Sequence, residues 1–378
     1  MPDGTPRAIL LSIGTEILLG EIVDTNAAHL AAKLAGLGVD LRTVRQLPDD
    51  RAAIAAAFAE ARDAADLVVA TGGLGPTHDD LTREGLAAAL GEELAPDPAL
   101  ESELRQRFAA YGPMPASNLR QALRVPSAEA LPNPIGSAPG WWVDRDGSVV
   151  VLLPGVPSEM RRMWSDQVVP RLEAHFALSP LHVRTVKTFG LGESAVGEAL
   201  GELLGRPGDG ISAGIYARDD GVHLRFSTRA DPARLAFPLA QAVRLLGDHV
   251  YGTDEETLAK VALHGLAQHG CGSLASVESG TAGALLAILS ECQAPDIAYV
   301  GGLLVPDRSV AAAAPTADAV VRLDLKSQDD HGRSRVEVAI EGGRVSLPLT
   351  RTRIHGSGPQ RQRRAAFAAM DTVRRAFG

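Results

Sequence analysis

"VVATGGLGPTHDD", residues 68–80, is the stretch on which the reading of this chain turns. An apolar run ends in a loop carrying Gly72, Gly73 and Gly75, hydroxyls at Thr71 and Thr77, and the adjacent acids Asp79 and Asp80. A turn needs one or two glycines. A loop with more lets backbone N–H groups approach phosphate oxygens closely, and a helix that follows adds a favourable dipole. Two neighbouring carboxylates beside phosphate make charge sense only with a cation. Carboxylates select hard, oxygen-loving ions such as magnesium or manganese. The competing reading is that Asp79 and Asp80 only cap the next helix.

The surrounding pattern places this loop on a wound sheet. "RAILLSI" (7–13) is a short continuous apolar run, read as a buried strand. Residues 24–38 have helical spacing at Leu30, Leu34 and Leu37, with a capping residue among Asp24, Thr25 and Asn26 and a stop at Gly38. "VDLRTVRQL" reads as a strand, residues 49–65 as a helix and "DLVVAT" (66–71) as a third strand. Strand and helix alternating in this way predict an α/β domain, a doubly wound and mostly parallel sheet. Its ligands belong at the carboxyl ends of the strands, where "SIGTE" and "ATGGLGPTHDD" both fall. "LPNPIGSAPGWW" (131–142) reads as loop, and "GSVVVLLPGVPSEM" (147–160) as another buried strand ending in a Pro-Gly turn before a helix.

Three domains are expected, over residues 1–175, 176–253 and 254–378. The middle one is a small α+β unit, with two strands joined around Asp219, Asp220 and Gly221. The last is α/β. The chain's 378 residues, 45% apolar and 22% charged, have an ordinary globular composition. A net charge of -9 argues against a broad grip on nucleic acid or anionic lipid. Two cysteines, Cys271 and Cys292, cannot build a disulfide framework, and a reduced, cytoplasmic setting follows as the expectation. The first twenty residues read as neither signal peptide nor membrane span.

Several residues carry ordinary alternatives. Glu16 reads equally as an exposed loop acid, and Glu159 as a first-turn helix acid near Ser158. His78 reads as a polar loop residue. Trp141 and Trp142 read as a packing pair beneath a loop, or as a platform for a base.

"SIGTEILLGEIVDTNAAHLA", "ATGGLGPTHDDLTREGLA" and "LLPGVPSEM" resemble, in order and spacing, the molybdopterin-binding-like domain of the competence/damage-inducible CinA family. "KTFGLGESAVGEAL" and "GVHLRFSTRA" resemble its KH-like middle domain. The resemblance implies a divalent-metal-dependent pyrophosphatase that splits ADP-ribose or a similar nucleotide diphosphate, giving AMP and ribose 5-phosphate. It places Gly14, Thr15 and Glu16 in the first loop, and Asp24 and Asn26 at the start of the next helix. Gly72, Gly73, Thr77, Asp79 and Asp80 form the second loop, and Pro154, Gly155, Ser158 and Glu159 the third. Asp79 or Asp80 then holds the metal, and Asp79, Asp80 and Glu159 are the candidate catalytic carboxylates. The rival within this resemblance is molybdopterin binding without hydrolysis. A homodimer is also implied.

A KH domain grips nucleic acid with a Gly-x-x-Gly loop. Here "GLGE" (190–193) puts Glu193 at the second glycine's place, so no nucleic-acid partner is expected. The C-terminal domain resembles nicotinamide-nucleotide amidases but departs from their pattern. "ESGTAG" supplies Glu278, Ser279, Gly280, Thr281, Ala282 and Gly283 where the family has Glu-Ser-Cys-Thr-Gly-Gly. Pro306 and Ala311 take the places of its tyrosine and lysine, and its glycine-rich substrate loop has no counterpart. A degenerate amidase is expected, with an active one as the alternative.

Overall fold

A computed structural model describes residues 4–109, 112–204, 210–306 and 316–378. The chain forms two compact units, Met1–Leu181 and His182–Gly378.

In the first unit β1 (Arg7–Ile13), the short α1 (Thr15–Leu18), α2 (Thr25–Leu37), β2 (Asp40–Leu47), α3 (Arg51–Ala64), β3 (Leu67–Thr71) and α4 (Thr82–Leu90) follow one another. A small excursion comes next: the two-residue strands β4 (Ala95–Pro96) and β5 (Leu123–Arg124), with α5 (Pro98–Ala109) and a 3-10 turn at Ala116–Ala122 between them. Then come β6 (Ala128–Leu131), β7 (Gly140–Arg145), β8 (Ser148–Leu153), α6 (Pro157–Met163) and α7 (Val169–His175). The sheet order is β2-β1-β3-β8-β7-β6. Pairing is parallel from β2 through β8 and antiparallel over β8-β7-β6.

Alternation along β1 explains the layering. Ala8 and Leu10 pack with Leu30 and Leu34 of α2, whereas Ile9, Leu11 and Ile13 pack with Ile54 and Phe58 of α3 and Leu86 of α4. Both faces are thus buried, which is why the strand reads as a continuous apolar run. The chain leaves β1 toward β2 on one side and β3 on the other. That reversal opens a crevice at the carboxyl ends of β1 and β3.

One segment departs from its expected state. Residues 140–142 are not loop but the start of β7. Trp141 joins the α3/α4 layer and Trp142 the opposite one, so they pack on two faces of the sheet and form no pair under a loop. The proline-rich run before them hid a strand whose residues are apolar on both faces.

The second unit contains two sheets. β9 (His182–Thr188), α8 (Glu193–Leu200), β10 (Ile211–Arg218), β11 (Gly221–Thr228), α9 (Ala236–Leu246) and β12 (Val250–Thr253) give an antiparallel sheet ordered β10-β11-β9-β12. Its core gathers Val186, Leu224, Phe226, Val196 and Ala242. α10 (Leu258–Gln268), β13 (Ser273–Ser279), α11 (Ala284–Glu291), β14 (Ala298–Leu304), β15 (Ala319–Gln328), β16 (Arg333–Gly342), β17 (Leu347–His355) and α12 (Gly358–Phe377) build the other. Its order is β14-β13-β15-β16-β17, parallel around β13 and antiparallel beyond β15.

Candidate functional site

The loops after β1, β3 and β8 line one cavity of about 640 Å³ at the switch point of the first unit's sheet. Its wall includes Gly14, Glu16, Asp24, Asn26, Gly72 and Gly73. Thr77, Asp79, Asp80, Pro154, Gly155 and Glu159 complete the set expected from sequence. Thr15 and Ser158 do not line it. Thr15 instead locks the first loop: its N–H donates to Asp49 Oδ2 at 2.9 Å, and its hydroxyl accepts from the Asp49 N–H at 3.1 Å.

Glycine is required at two places in the second loop. Gly72 has φ +100° and Gly73 φ +63°. A Cβ on Gly72 would run into the Ile13 carbonyl oxygen, and one on Gly73 into the Thr82 hydroxyl. Thr82 organises this turn. Its hydroxyl donates to the Gly72 carbonyl at 2.7 Å, and its N–H donates to the Gly73 carbonyl at 3.2 Å. Each peptide is planar and trans, so a carbonyl held on one side turns the next N–H to the other. The N–H groups of Gly73 and Leu74 are therefore directed away from α4, in residues that line the cavity.

Asp80 holds the rest of the loop. Its Oδ1 accepts from the Gly75 N–H at 2.8 Å; its Oδ2 accepts from the Thr77 N–H at 2.8 Å and the Thr77 hydroxyl at 2.5 Å. This settles the capping alternative: α4 begins after Leu81 with no side-chain cap, and neither aspartate serves its amides. Asp79 stands more freely, with its side chain 58% exposed. The neighbouring Thr77 hydroxyl dipole first, then the local backbone, with positive charge from His78 and Arg120 adding to them, draw the Asp79 carboxyl below its usual range.

Two arginines absent from the sequence reading brace the loop from behind. Arg83, 2% exposed, donates to the carbonyls of Leu74 and Gly75. Burial lowers its pKa to about 10, which leaves it charged near neutrality. Arg120 donates to the carbonyls of Thr77 and Asp80 and pairs with Glu84 at 2.7 Å. Burial and carbonyl partners eight and nine positions back distinguish Arg83 from an ordinary surface cation, and partners 36 to 43 positions back distinguish Arg120.

Asn26 ties the three loops together. Its Nδ2 donates to the Thr71 hydroxyl at 3.1 Å and to the Gly155 carbonyl at 2.8 Å, while that hydroxyl donates to the Pro154 carbonyl at 3.0 Å. Asp24 caps α2 through the Ala27 N–H at 2.8 Å. The remaining polar atom of each side chain, Asn26 Oδ1 and Asp24 Oδ2, is buried with no hydrogen-bond partner. Such atoms are costly unless something fills their need, and both residues line the cavity. Across it, Asn133 Nδ2 donates to Glu159 Oε2 at 2.7 Å and so orients that carboxylate.

Ser279 in the second unit has different surroundings. Its hydroxyl, 3% exposed, donates to Asp324 Oδ1 at 2.6 Å, and Asp324 pairs with Lys326. It is not a helix-capping serine. Glu278 takes that part, accepting from the Thr281 hydroxyl at 2.6 Å and from the N–H groups of Leu285 and Leu286. The cavity beside Ser279 is about 10 Å³, space for one water at most. Ala311 lies outside the described residues.

With its glycine-rich crevice at the switch point, the first unit is an α/β domain of the molybdopterin-binding type. Residues 9–174 match the family described as "Probable molybdopterin binding domain", and residues 183–252 match "Damage-inducible protein CinA KH domain". A CinA-like protein of Thermomicrobium roseum is 48% identical over 290 residues, 75% of this chain and 71% of that protein. Another, from Salinibacter ruber, is 36% identical over 353 residues, 91% of this chain and 84% of that protein. A CinA protein of unknown function from Thermoplasma acidophilum has a solved structure. It is 34% identical, with a TM-score of 0.42 covering 46% of this chain and 98% of that one. The chain belongs to the CinA family. No helix among its described residues is long and apolar enough to cross a membrane.

Proposed function

We propose that the first unit hydrolyses a nucleotide diphosphate such as ADP-ribose to AMP and ribose 5-phosphate. The observation that carries this reading is the cavity wall. It brings Gly73 and Leu74, whose N–H groups are directed away from α4, to the same crevice as Asp79, Asp80 and the oriented Glu159. Amides suit diphosphate oxygens, and buried Arg83 behind them adds positive charge. The acceptors Asp24 Oδ2 and Asn26 Oδ1 suit sugar hydroxyls. Ile17, Ile22 and Val23 give one wall an apolar stretch on which a base can rest.

No cluster of three or more His, Cys, Asp and Glu able to hold a metal exists among the described residues. The donors present nevertheless fit magnesium or manganese. Both are oxygen carboxylates, and magnesium on phosphates commonly uses one or two of these plus substrate oxygens. Asp79, with Asp80 beside it, would hold such an ion, and when bound it would offset charge at phosphorus. Glu159 takes the proton from the attacking water. The water oxygen bonds to one phosphorus, the bridging P–O bond breaks, and the bridging oxygen leaves on the second phosphate. The products are then two monophosphates.

Incubating the protein with ADP-ribose and magnesium or manganese and separating the products tests this directly. AMP and ribose 5-phosphate in equal amounts are expected. Tight binding of molybdopterin with no AMP formed would favour the binding reading instead.

The amidase-like region is proposed to be inactive. Nucleophilic catalysis needs a serine, a base and room for substrate together. Ser279 donates to a carboxylate that is itself paired, and its cavity admits no nucleotide. No ammonia is expected from nicotinamide mononucleotide with the full-length protein. Ammonia release that Ser279→Ala abolished would overturn this assignment.

A further inference from the structure

The second unit contains a groove of about 900 Å³ that the proposed hydrolysis does not use. It runs along the loop before α8, the β10–β11 hairpin, β17 and α12, and five arginines line it: Arg218, Arg351, Arg353, Arg364 and Arg375. This is a concentration of positive charge on a chain whose net charge is -9.

The carboxylates in its wall are already engaged. Asp371 is held by Arg374 at 2.7 Å and Arg375 at 2.8 Å. Asp219 pairs with Arg363 at 3.3 Å. Glu193 Oε1 accepts from the Ala217 N–H at 3.1 Å, on the flank of the groove. Arg218 and Arg353 have no such neighbour: among the described residues neither guanidinium has an ion-pair or hydrogen-bond partner. In the β16–β17 register Arg353 stands directly opposite Arg335. Arg335 is paired with Glu337 at 3.3 Å, and Arg351 with the same carboxylate at 3.0 Å, so Arg353 is left as the cation of this strand pair that an anion in the groove can meet.

The loop adds donors of a second kind. Gly190 has φ +84°, and Gly192 begins α8 with no side-chain cap on the helix. Gly192 and Glu193, at the start of α8, line the groove with the arginines. A Cβ on Gly190 would lie 3.9 Å from Arg375 Nη2, so the loop and the guanidinium flank the same space.

We infer that this groove binds a small ligand carrying two or more phosphoryl groups. Planar guanidiniums pair bidentately with phosphate oxygens; Arg375 and Arg351 already pair with Asp371 and Glu337, which leaves Arg218, Arg353 and Arg364 to meet the ligand's charges. Its size suits one compact molecule. Phe189, the one aromatic side chain of its wall besides His355, packs against the unit's core. Bases of a single strand would find no stacking platform there.

Calorimetric titration of the full-length protein with inorganic pyrophosphate, without divalent metal, tests the inference. Arg218→Glu combined with Arg353→Glu is expected to weaken one binding event at least about tenfold or remove it. Both side chains are exposed and unpaired, so an unchanged melting temperature should accompany the loss. Identical titrations of wild type and variant would overturn the inference. The result separates from the fate of the first-unit site: two events falling to one leave that site intact, whereas one falling to none means that it alone fails to bind. A single-stranded oligonucleotide that binds the wild type through these arginines, and that pyrophosphate cannot displace, would overturn the small-ligand assignment.

Discussion

The Asp79→Ala variant is expected to lose about two to three orders of magnitude in ADP-ribose turnover while melting at the wild-type temperature. Asp79 sits on the cavity with its side chain largely exposed, so its removal takes charge from the site without leaving a hole in the fold. Asp80→Ala is expected to behave differently. It strips acceptors from the Gly75 N–H, the Thr77 N–H and the Thr77 hydroxyl. Stability should then fall by about 1–3 kcal/mol along with turnover, because donors lose their partners. Adjacent acids thereby part into one that acts on the ligand and one that holds the loop. Steady-state assays at saturating metal, paired with thermal melts, read both outcomes. Near-normal turnover of Asp79→Ala would remove this carboxylate from the chemistry.

Gly72→Ala is expected to destabilise the first unit by about 2–4 kcal/mol and to abolish measurable hydrolysis. At φ +100° an alanine is strained, and its methyl would meet the Ile13 carbonyl oxygen at the end of β1. The backbone has no freedom to yield. The Gly72 N–H donates to the Leu153 carbonyl at 3.1 Å, and the Gly72 carbonyl accepts from Thr82. Any shift breaks these bonds and displaces the Gly73 and Leu74 amides. Gly155→Ala is the contrast. Its Cβ would come no closer than 3.4 Å to Gly72 Cα, so denaturant titration should find it close to wild type. A Gly72→Ala protein with unchanged stability and turnover would show that the turn is not the rigid element described above.

The α/β order and the three loops were legible because continuous apolar runs and glycine punctuation are local signals. Asp24 and Gly38 at the ends of α2 follow for the same reason: each acts on its own neighbours. The two tryptophans of β7 were misplaced, since a strand buried on both faces has no alternation to reveal it. The bracing of the site was hidden altogether. Thr82 and Arg83 read as ordinary first-turn residues of a helix, yet both are almost fully buried and point back at the loop. Arg120 reaches the Thr77 carbonyl across 43 positions, and Asn133 reaches Glu159 across 26. No local pattern encodes such pairs; tertiary packing creates them.

The Asn26 bridge has a kinetic corollary. Its amide joins partners 45 and 129 positions away in the chain, Thr71 and Gly155. Closing so long a span costs entropy before any bond rewards it. The crevice is complete only when β8 lies beside β3, so its closure is expected late in folding. In a refolding experiment, regain of ligand binding should lag behind regain of helical signal, which makes the site a reporter of the completed sheet.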